Sequence, residues 1–218
     1  MPPWSWAEST DTKGLRMPES IKEFAARAFA AQSEGGRLPL DGEGMPAWDV
    51  FPFEASDLRV KEVAPLGDEM PRMGEPAGPE CWCRGGSDGG WAEVWADDNW
   101  HVKVAPPSGS PLILVLEPLE HVDLDELSAE QAGEFGIRTV ALVRAIESLP
   151  SVGRCHVSRW GDGGSHAHVW FIARPLGMTQ LRGTYMAVWD DLLPPVPVEV
   201  RDDNAAAAIA HLRQTLGG

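Results

Sequence analysis

Long apolar runs are missing from this sequence of 218 residues, and basic residues are scarce. No stretch approaches the ~18 apolar residues that a membrane-spanning helix needs. The first residues, MPPWSWAESTDTKG, lack the basic and then apolar order of a signal peptide. The 18 Lys and Arg residues face 33 Asp and Glu residues, giving a net charge of −15, which repels phosphate backbones and anionic lipid. We therefore expect a cytoplasmic protein that binds neither nucleic acid nor a membrane.

Cysteine is also scarce, with three residues, and tyrosine occurs once. An odd number of cysteines, with Cys81 and Cys83 almost adjacent, is a poor framework for disulfides and suits a metal site or free thiols better. Tryptophan, by contrast, occurs ten times. Two interpretations stay open for these residues: filling of the core, or an aromatic wall that stacks on a base. Trp160 and Trp170 are the best candidates for such a wall.

The first third of the chain differs in pattern from the rest. PESIKEFAARAFAAQ has apolar residues at helical spacing, and DLRVKEV alternates like an edge strand. GDEMPRMGEPAGPE is typical of a linker. We therefore predict an N-terminal helical extension and linker over residues 1–78 and a second domain over residues 79–218. The extension either covers one face of the sheet or contributes to a homodimer.

The second domain alternates short strands with one long helix. Ser128 followed by Gln131 fits a capping box, which predicts a helix from there to about Leu149. A final helix is predicted from about Asn204. Strands are predicted at AEVWAD, WHVKVA, PLILVLEP, RCHVSRW and HAHVWFIAR, the last two joined by GDGG, a turn that requires positive φ. This order predicts an α+β fold with an antiparallel sheet and one long helix.

Two histidines, His166 and His168, follow the glycine-rich turn in RWGDGGSHAHVWFIARP. On a strand they project to one face together with Trp170. Three interpretations stay open: histidines satisfied by backbone carbonyls, a catalytic pair, or a pair of metal ligands. In the third case a metal-dependent oxygenase is a hypothesis, with Asp162 as its only carboxylate candidate.

Several of these pieces resemble the histidine triad (HIT) superfamily, whose signature is His-φ-His-φ-His-φ-φ. CWC, the hairpin, PLILVLEPLEHVDLDEL and HAHVWFIAR occur in the family's order between about Cys81 and Pro175. In the register that we favour, Trp170 takes the position of the third histidine, which makes this chain a divergent relative. The resemblance implies a HIT-like antiparallel sheet with one long helix.

The resemblance also implies a chemistry. His168 falls at the position of the nucleophile that attacks the α-phosphate of a nucleotide and forms a nucleotidyl-histidine intermediate, and His166 is the second catalytic candidate. Neutral imidazole is a competent nucleophile near pH 7. Backbone N–H groups of the turn, a hydroxyl and an arginine could hold the phosphate. The predicted phosphate- and nucleotide-binding residues are Ser165, Gly164, Gly163, Arg159 and Trp170.

Two functions therefore stay open. One is a nucleotide hydrolase or nucleotidyltransferase that acts on a nucleotide conjugate. The other is a catalytically silent, zinc-stabilised module that binds a nucleotide or a protein. Trp170 in place of the third histidine supports the second function, as does Ala105 at the position of the family's acidic ribose partner.

Many members of the family bind zinc, and the matching residues here are Cys81, Cys83, His121 and His166. Zinc accepts two thiolates and two imidazoles, and four protein ligands leave no position for water, so such a site is structural. The alternative is a pair of free thiols that pack as small apolar groups. No organic cofactor is expected.

Overall fold

The computed structural model describes residues 64–217 and five earlier residues, Ala26, Phe29, Ala30, Gln32 and Gly36. Ala26, Phe29 and Ala30 are helical. The other residues of the predicted N-terminal helix, and the whole predicted strand DLRVKEV, lie outside the described residues. From Glu69 onward the described residues belong to one compact unit, which includes most of the segment assigned above to the linker. No helix in the described part of the chain is both long and apolar enough to cross a membrane.

Five strands form one antiparallel sheet in the order β1-β2-β3-β5-β4. The strands are β1 (Ala92–Ala96), β2 (Trp100–Val104), β3 (Ile113–Pro118), β4 (Val152–Ser158) and β5 (Val169–Pro175). The helices are α1 (Ala129–Glu147), between β3 and β4, then α2 (Tyr185–Leu192) and α3 (Val198–Leu216). This architecture confirms the predicted α+β class, with its antiparallel sheet and the long helix α1.

The helix boundaries follow the capping chemistry of the sequence. The Gln131 backbone N–H donates to the Ser128 hydroxyl at 3.2 Å, and the Ser128 N–H donates to the Gln131 side chain at 2.9 Å, which confirms the capping box. Helix α3 begins at Val198, six residues before the predicted start. The β-branched valines of VEV after Pro197 favour extended backbone, so the sequence pattern does not indicate the first turn of this helix. Helix α2 has no counterpart among the predicted elements.

One face of the sheet is apolar and packs against α1 and α3. Alternate residues of the central strands point to this face, as the two-residue period of a strand requires. Together with Leu142 and Ile146 of α1 and Ile209 and Leu212 of α3, they form the main core. The core-facing strand residues include Val102, Val104, Leu114, Leu116, Val169 and Phe171.

The opposite face of the same strands carries charged and aromatic side chains. Lys103 of β2 pairs across the sheet with Val115 of β3, which pairs with Trp170 of β5. One row away, His101 of β2 pairs with Glu117 of β3. Residues that pair directly across neighbouring strands have Cβ atoms about 5 Å apart. These side chains therefore form one continuous patch.

The two histidines precede β5 rather than lie within it. The predicted strand began at His166, whereas β5 begins at Val169, because the Ala167 N–H donates to the carbonyl of Val122 at 2.8 Å instead of joining the ladder. Gly164 forms an isolated bridge with Met73. The prediction of positive φ in GDGG is wrong, since no glycine of this turn is among the residues with positive φ.

The β1–β2 turn is held by Asp97. Its carboxylate accepts the backbone N–H groups of Asn99 at 3.0 Å and Trp100 at 2.8 Å, and it pairs with Arg138 of α1. Burial alone would raise the pKa of Asp97, but the bonds from Asn99, Arg138 and Trp100 outweigh it and hold the pKa below its usual value. Asp97 therefore joins the edge of the sheet to the long helix.

Asp97→Ala is expected to lower the free energy of unfolding by about 1–3 kcal/mol near neutral pH, since charged hydrogen bonds are lost. Because the folded-state pKa is depressed, this contribution is present above the unfolded-state pKa and disappears as the pH falls through the folded-state value. Urea unfolding at several pH values measures both effects. Asp98→Ala changes the exposed neighbour and is the control, and an equal loss in both variants would contradict the assignment.

Candidate functional site

The polar face of the sheet carries a cavity of about 250 Å³. Trp82 in the turn before β1, Trp91 next to β1 and Trp170 of β5 form its aromatic walls. Lys103 and Glu117 supply charges on the strand side. Aromatic walls with a few fixed polar groups are typical of small-molecule sites. This cavity is therefore the candidate functional site in the described part of the chain.

Most residues predicted for catalysis or ligand binding lie at this cavity, and two do not. Those that line it are Gly163, Gly164, His166, His168 and Trp170. The Ser165 hydroxyl instead donates to the Met73 carbonyl at 3.1 Å, and the Arg159 guanidinium pairs with Asp123 at 2.8 Å. Both side chains hold the turn in place, so their positions do not support the prediction that they bind phosphate.

His168 is half-buried and has both ring nitrogens next to backbone carbonyls. Nδ1 lies 2.7 Å from the carbonyl oxygen of His166, and Nε2 lies 3.0 Å from that of Trp160. Since a carbonyl only accepts, both contacts are hydrogen bonds only when the ring carries two protons. In the neutral ring with Nδ1–H donating, Nε2 holds the lone pair and faces the Trp160 carbonyl.

His166 is buried, and both nitrogens of its ring face other protein groups rather than the cavity that it lines. Nε2 lies 2.8 Å from the carbonyl oxygen of Pro118, so it carries the proton and donates. Nδ1 then holds the lone pair and lies 3.4 Å from Sγ of Cys81. Burial lowers the pKa of His166 and favours the neutral ring. Both ring nitrogens therefore face protein groups, and the His166 carbonyl faces Nδ1 of His168.

Cys81, Cys83, His121 and His166 come together as one cluster, with their ligand atoms all within 4.8 Å of one another. The Cys83 sulfur lies 3.3 Å from that of Cys81 and 3.2 Å from Nδ1 of His121. A tetrahedral zinc ion with Zn–S and Zn–N bonds of about 2.3 and 2.0 Å separates neighbouring ligand atoms by about 3.3–3.8 Å. Two sulfurs and two imidazoles close to this spacing form a set that could bind a metal ion.

The oxygenase hypothesis fails on the same geometry. It required His166 and His168 to share a metal, but His168 is not in the metal-ligand cluster of the described residues. Its ring is held by the carbonyls of His166 and Trp160 instead. The two histidines therefore have separate partners.

A buried charged network beside the cavity was missed by the sequence analysis. Glu117 lies 3.0 Å from the Lys103 ammonium and 3.2 Å from Nε2 of His101, whose Nδ1 lies 2.9 Å from Glu93. Burial alone would raise the pKa of Glu117, but its contacts with His101 and Lys103 outweigh it and lower the pKa. Two features of the sequence could have indicated this network. One is the single acid in the apolar run PLILVLEP, and the other is the alternation of His101 and Lys103 with apolar residues in β2.

Trp82, the residue between the two cysteines, joins the metal-ligand cluster to this network. Its ring stacks on His166 with centroids 5.0 Å apart, and the ring of His101 lies 4.7 Å away. The Lys103 ammonium lies 3.4 Å from the Trp82 ring centroid, which is a cation–π contact. The turn that brings the cysteines together therefore also covers the charged pair.

A strap formed by residues 72–75 clamps the glycine-rich turn. The Met73 N–H donates to the Gly163 carbonyl at 3.0 Å, and the Ser165 N–H donates to the Met73 carbonyl at 2.9 Å. Asp123 lies at the base, 2.7 Å from Arg72 and 2.8 Å from Arg159. Gly74 is required here, since a Cβ at this position would lie 2.6 Å from His121.

No protein family model and no curated protein sequence matches the chain. Solved structures are similar to part of it. A histidine triad protein from Bradyrhizobium japonicum is 16% identical with a TM-score of 0.47, covering 56% of this chain and 90% of that one. One from Marinobacter aquaeolei VT8 is 21% identical with a TM-score of 0.45, covering 58% and 89%. A zinc-bound histidine triad family protein from Mycobacterium smegmatis is 15% identical with a TM-score of 0.43, covering 57% and 86%.

Asp123→Ala is expected to lower the free energy of unfolding by about 1–3 kcal/mol, because it removes the carboxylate that pairs with Arg72 and Arg159 and that caps the short helix Leu124–Glu126. The same change is expected to loosen the glycine-rich turn, which faster amide exchange at Gly163–Ser165 would report. Asp125→Ala, in the same short helix but exposed, is the matched control. Unchanged exchange in Asp123→Ala would show that the strap does not depend on this carboxylate.

Proposed function

We propose that the protein is a nucleotide hydrolase or nucleotidyltransferase in which His168 attacks the α-phosphate of a nucleotide conjugate. The observation that carries this proposal is the 2.7 Å contact of His168 Nδ1 with the His166 carbonyl. A donating Nδ1–H fixes the tautomer and leaves the lone pair on Nε2, as a nucleophile requires. The resemblance at HAHVWFIAR supports the same residue.

In the first step a bond forms between Nε2 and phosphorus, and the bond from phosphorus to the leaving oxygen breaks. The leaving group takes up a proton from solvent. In the second step water or another hydroxyl attacks phosphorus, gives up its proton to solvent and displaces His168 as the neutral ring. The Trp160 carbonyl, 3.0 Å from Nε2, has to move before the phosphate can approach. Trp160 is 43% exposed, so this movement does not disturb the core.

The glycine-rich turn supplies the phosphate contacts in this proposal. The N–H groups of Gly163 and Gly164 donate to no other described residue. A Cβ added at Gly164 would lie 3.8 Å from the His168 ring, so this backbone borders the nucleophile. Backbone N–H groups in a turn form anion-binding concavities and need no basic side chain.

Zinc has a structural part in the proposal. Cys81, Cys83, His121 and His166 would hold it, and when bound it would cross-link the cysteine turn to the chain around His166. The Pro118 carbonyl fixes the His166 tautomer that a metal requires, as partners of metal ligands do. His166 in turn presents its carbonyl to His168.

A second candidate function is a catalytically silent binding module. The Trp160 carbonyl in contact with Nε2 favours it, and so does Trp170 at the third position of the motif. Such a module would keep the cavity and the metal cluster and would lack only the transfer of a nucleotidyl group to His168.

Incubation with adenosine and guanosine nucleotide conjugates is expected to produce a nucleotidyl adduct, seen by intact mass, on the wild-type protein and not on His168→Ala. His211→Ala, which changes a histidine of α3 outside the cavity, is the matched control and is expected to keep the adduct. An adduct that persists in His168→Ala would place the nucleophile elsewhere. No adduct on the wild type would support the silent module.

The purified protein is expected to contain one zinc ion per chain, and Cys83→Ser is expected to lose it because a thiolate ligand is removed. Native mass spectrometry and elemental analysis measure the content. Cys155→Ser, which changes the thiol outside the cluster, is expected to keep the metal. Equal zinc in both variants would exclude the cluster as its site.

A further inference from the structure

Lys103 of β2 and Glu117 of β3 lie on neighbouring strands at the wall of the cavity. Lys103 is two strands from Trp170, with Val115 between them. Strands are about 4.8 Å apart, so Lys103 lies about 10 Å across the sheet from the strand that follows the histidines. Continued by one residue, the β3–β5 register places Glu117 opposite His168. A ligand whose phosphate is held at His168 would therefore pass Glu117 and place its distal group at Lys103.

The burial of the pair is unusual for charged residues. Lys103 is 7% exposed and Glu117 is 8% exposed, and the two charges lie 3.0 Å apart. A buried ion pair adds little to stability, because removing both charges from water offsets their attraction. Charged groups that are buried at the wall of a cavity are candidates for ligand recognition.

The pair offers one donor and one acceptor to a ligand. The Lys103 ammonium lies 3.0 Å from Oε2 of Glu117 and 3.4 Å from the centroid of the Trp82 ring, and it has three N–H groups to donate. Oε2 of Glu117 is buried and lies near Lys103 and His101 without a well-aligned hydrogen bond from either, and no described residue pairs with Oε1. The indoles of Trp82 and Trp91 beside them suit a planar ring.

We propose that Lys103 and Glu117 recognise the lactam edge of a nucleobase, as found in guanine and uracil. Lys103 donates to the carbonyl oxygen, and Glu117 accepts the adjacent ring N–H. Adenine and cytosine offer a ring nitrogen and an amino group instead. Their amino N–H is less acidic than a lactam N–H and is therefore a weaker donor to the Glu117 carboxylate. This inference rests on the proposed function, because it takes the ligand to be a nucleotide.

Binding of GMP, UMP, AMP and CMP to His168→Ala, followed by tryptophan fluorescence and calorimetry, tests the proposal without turnover. GMP and UMP are expected to bind at least about tenfold more tightly than AMP and CMP, as one specific pair of hydrogen bonds provides. In the same background, Lys103→Met with Glu117→Leu replaces the ion pair by apolar groups, a change that folded proteins tolerate. This double variant is expected to lose the preference, and Glu130→Gln, an exposed change in α1, to keep it.

Equal affinity for the four nucleotides, or no binding of any of them, would overturn the proposal. So would a preference that survives in the double variant. A clear preference without any adduct on the wild-type protein would instead refute the catalytic proposal and leave the base recognition in place. The experiments therefore distinguish a failure of the proposed base recognition from a failure of the catalytic proposal.

Discussion

The structure depends on the strict two-residue alternation of three central strands. Every second residue of β2, β3 and β5 enters the apolar core beneath α1 and α3, and a shift of one residue would bury Lys103 and Glu117 in that core. Burying unpaired charges in an apolar core costs far more than a small domain can offset. The core therefore fixes the register, and the register in turn assembles the cavity face from residues far apart in the sequence.

His166 connects the two halves of the candidate site. Its Nε2 donates to Pro118 at the end of β3, its Nδ1 points at Cys81, and its carbonyl faces Nδ1 of His168. One residue therefore links the cysteine turn to the ring of His168. One short segment therefore contributes both to the cluster of possible metal ligands and to the ring proposed as the nucleophile.

Features with a local cause could be predicted from the sequence. The alternating strands, the capping box at Ser128 and the grouping of Cys81 with the histidines follow from period, caps and motif order. The remaining features depend on contacts distant in sequence. Ala167 bonds to Val122 and so delays β5, and the ion pair of Lys103 with Glu117 exists only because β2 and β3 pair in one register. A local pattern can indicate that Lys103 and Glu117 share the polar face of the sheet, but not that their charges meet.

The charges around the cavity limit how an anion can be held there. Of the described residues that line it, only Lys103 carries a permanent positive charge, and Glu117 neutralises it. Arg72 and Arg159 lie close by, but both are paired with Asp123. With a net charge of −15 on the chain, general attraction does not concentrate anions at the site. Under the proposed function, a phosphate would therefore be held by oriented backbone N–H groups, and those of Gly163 and Gly164 donate to no other described residue.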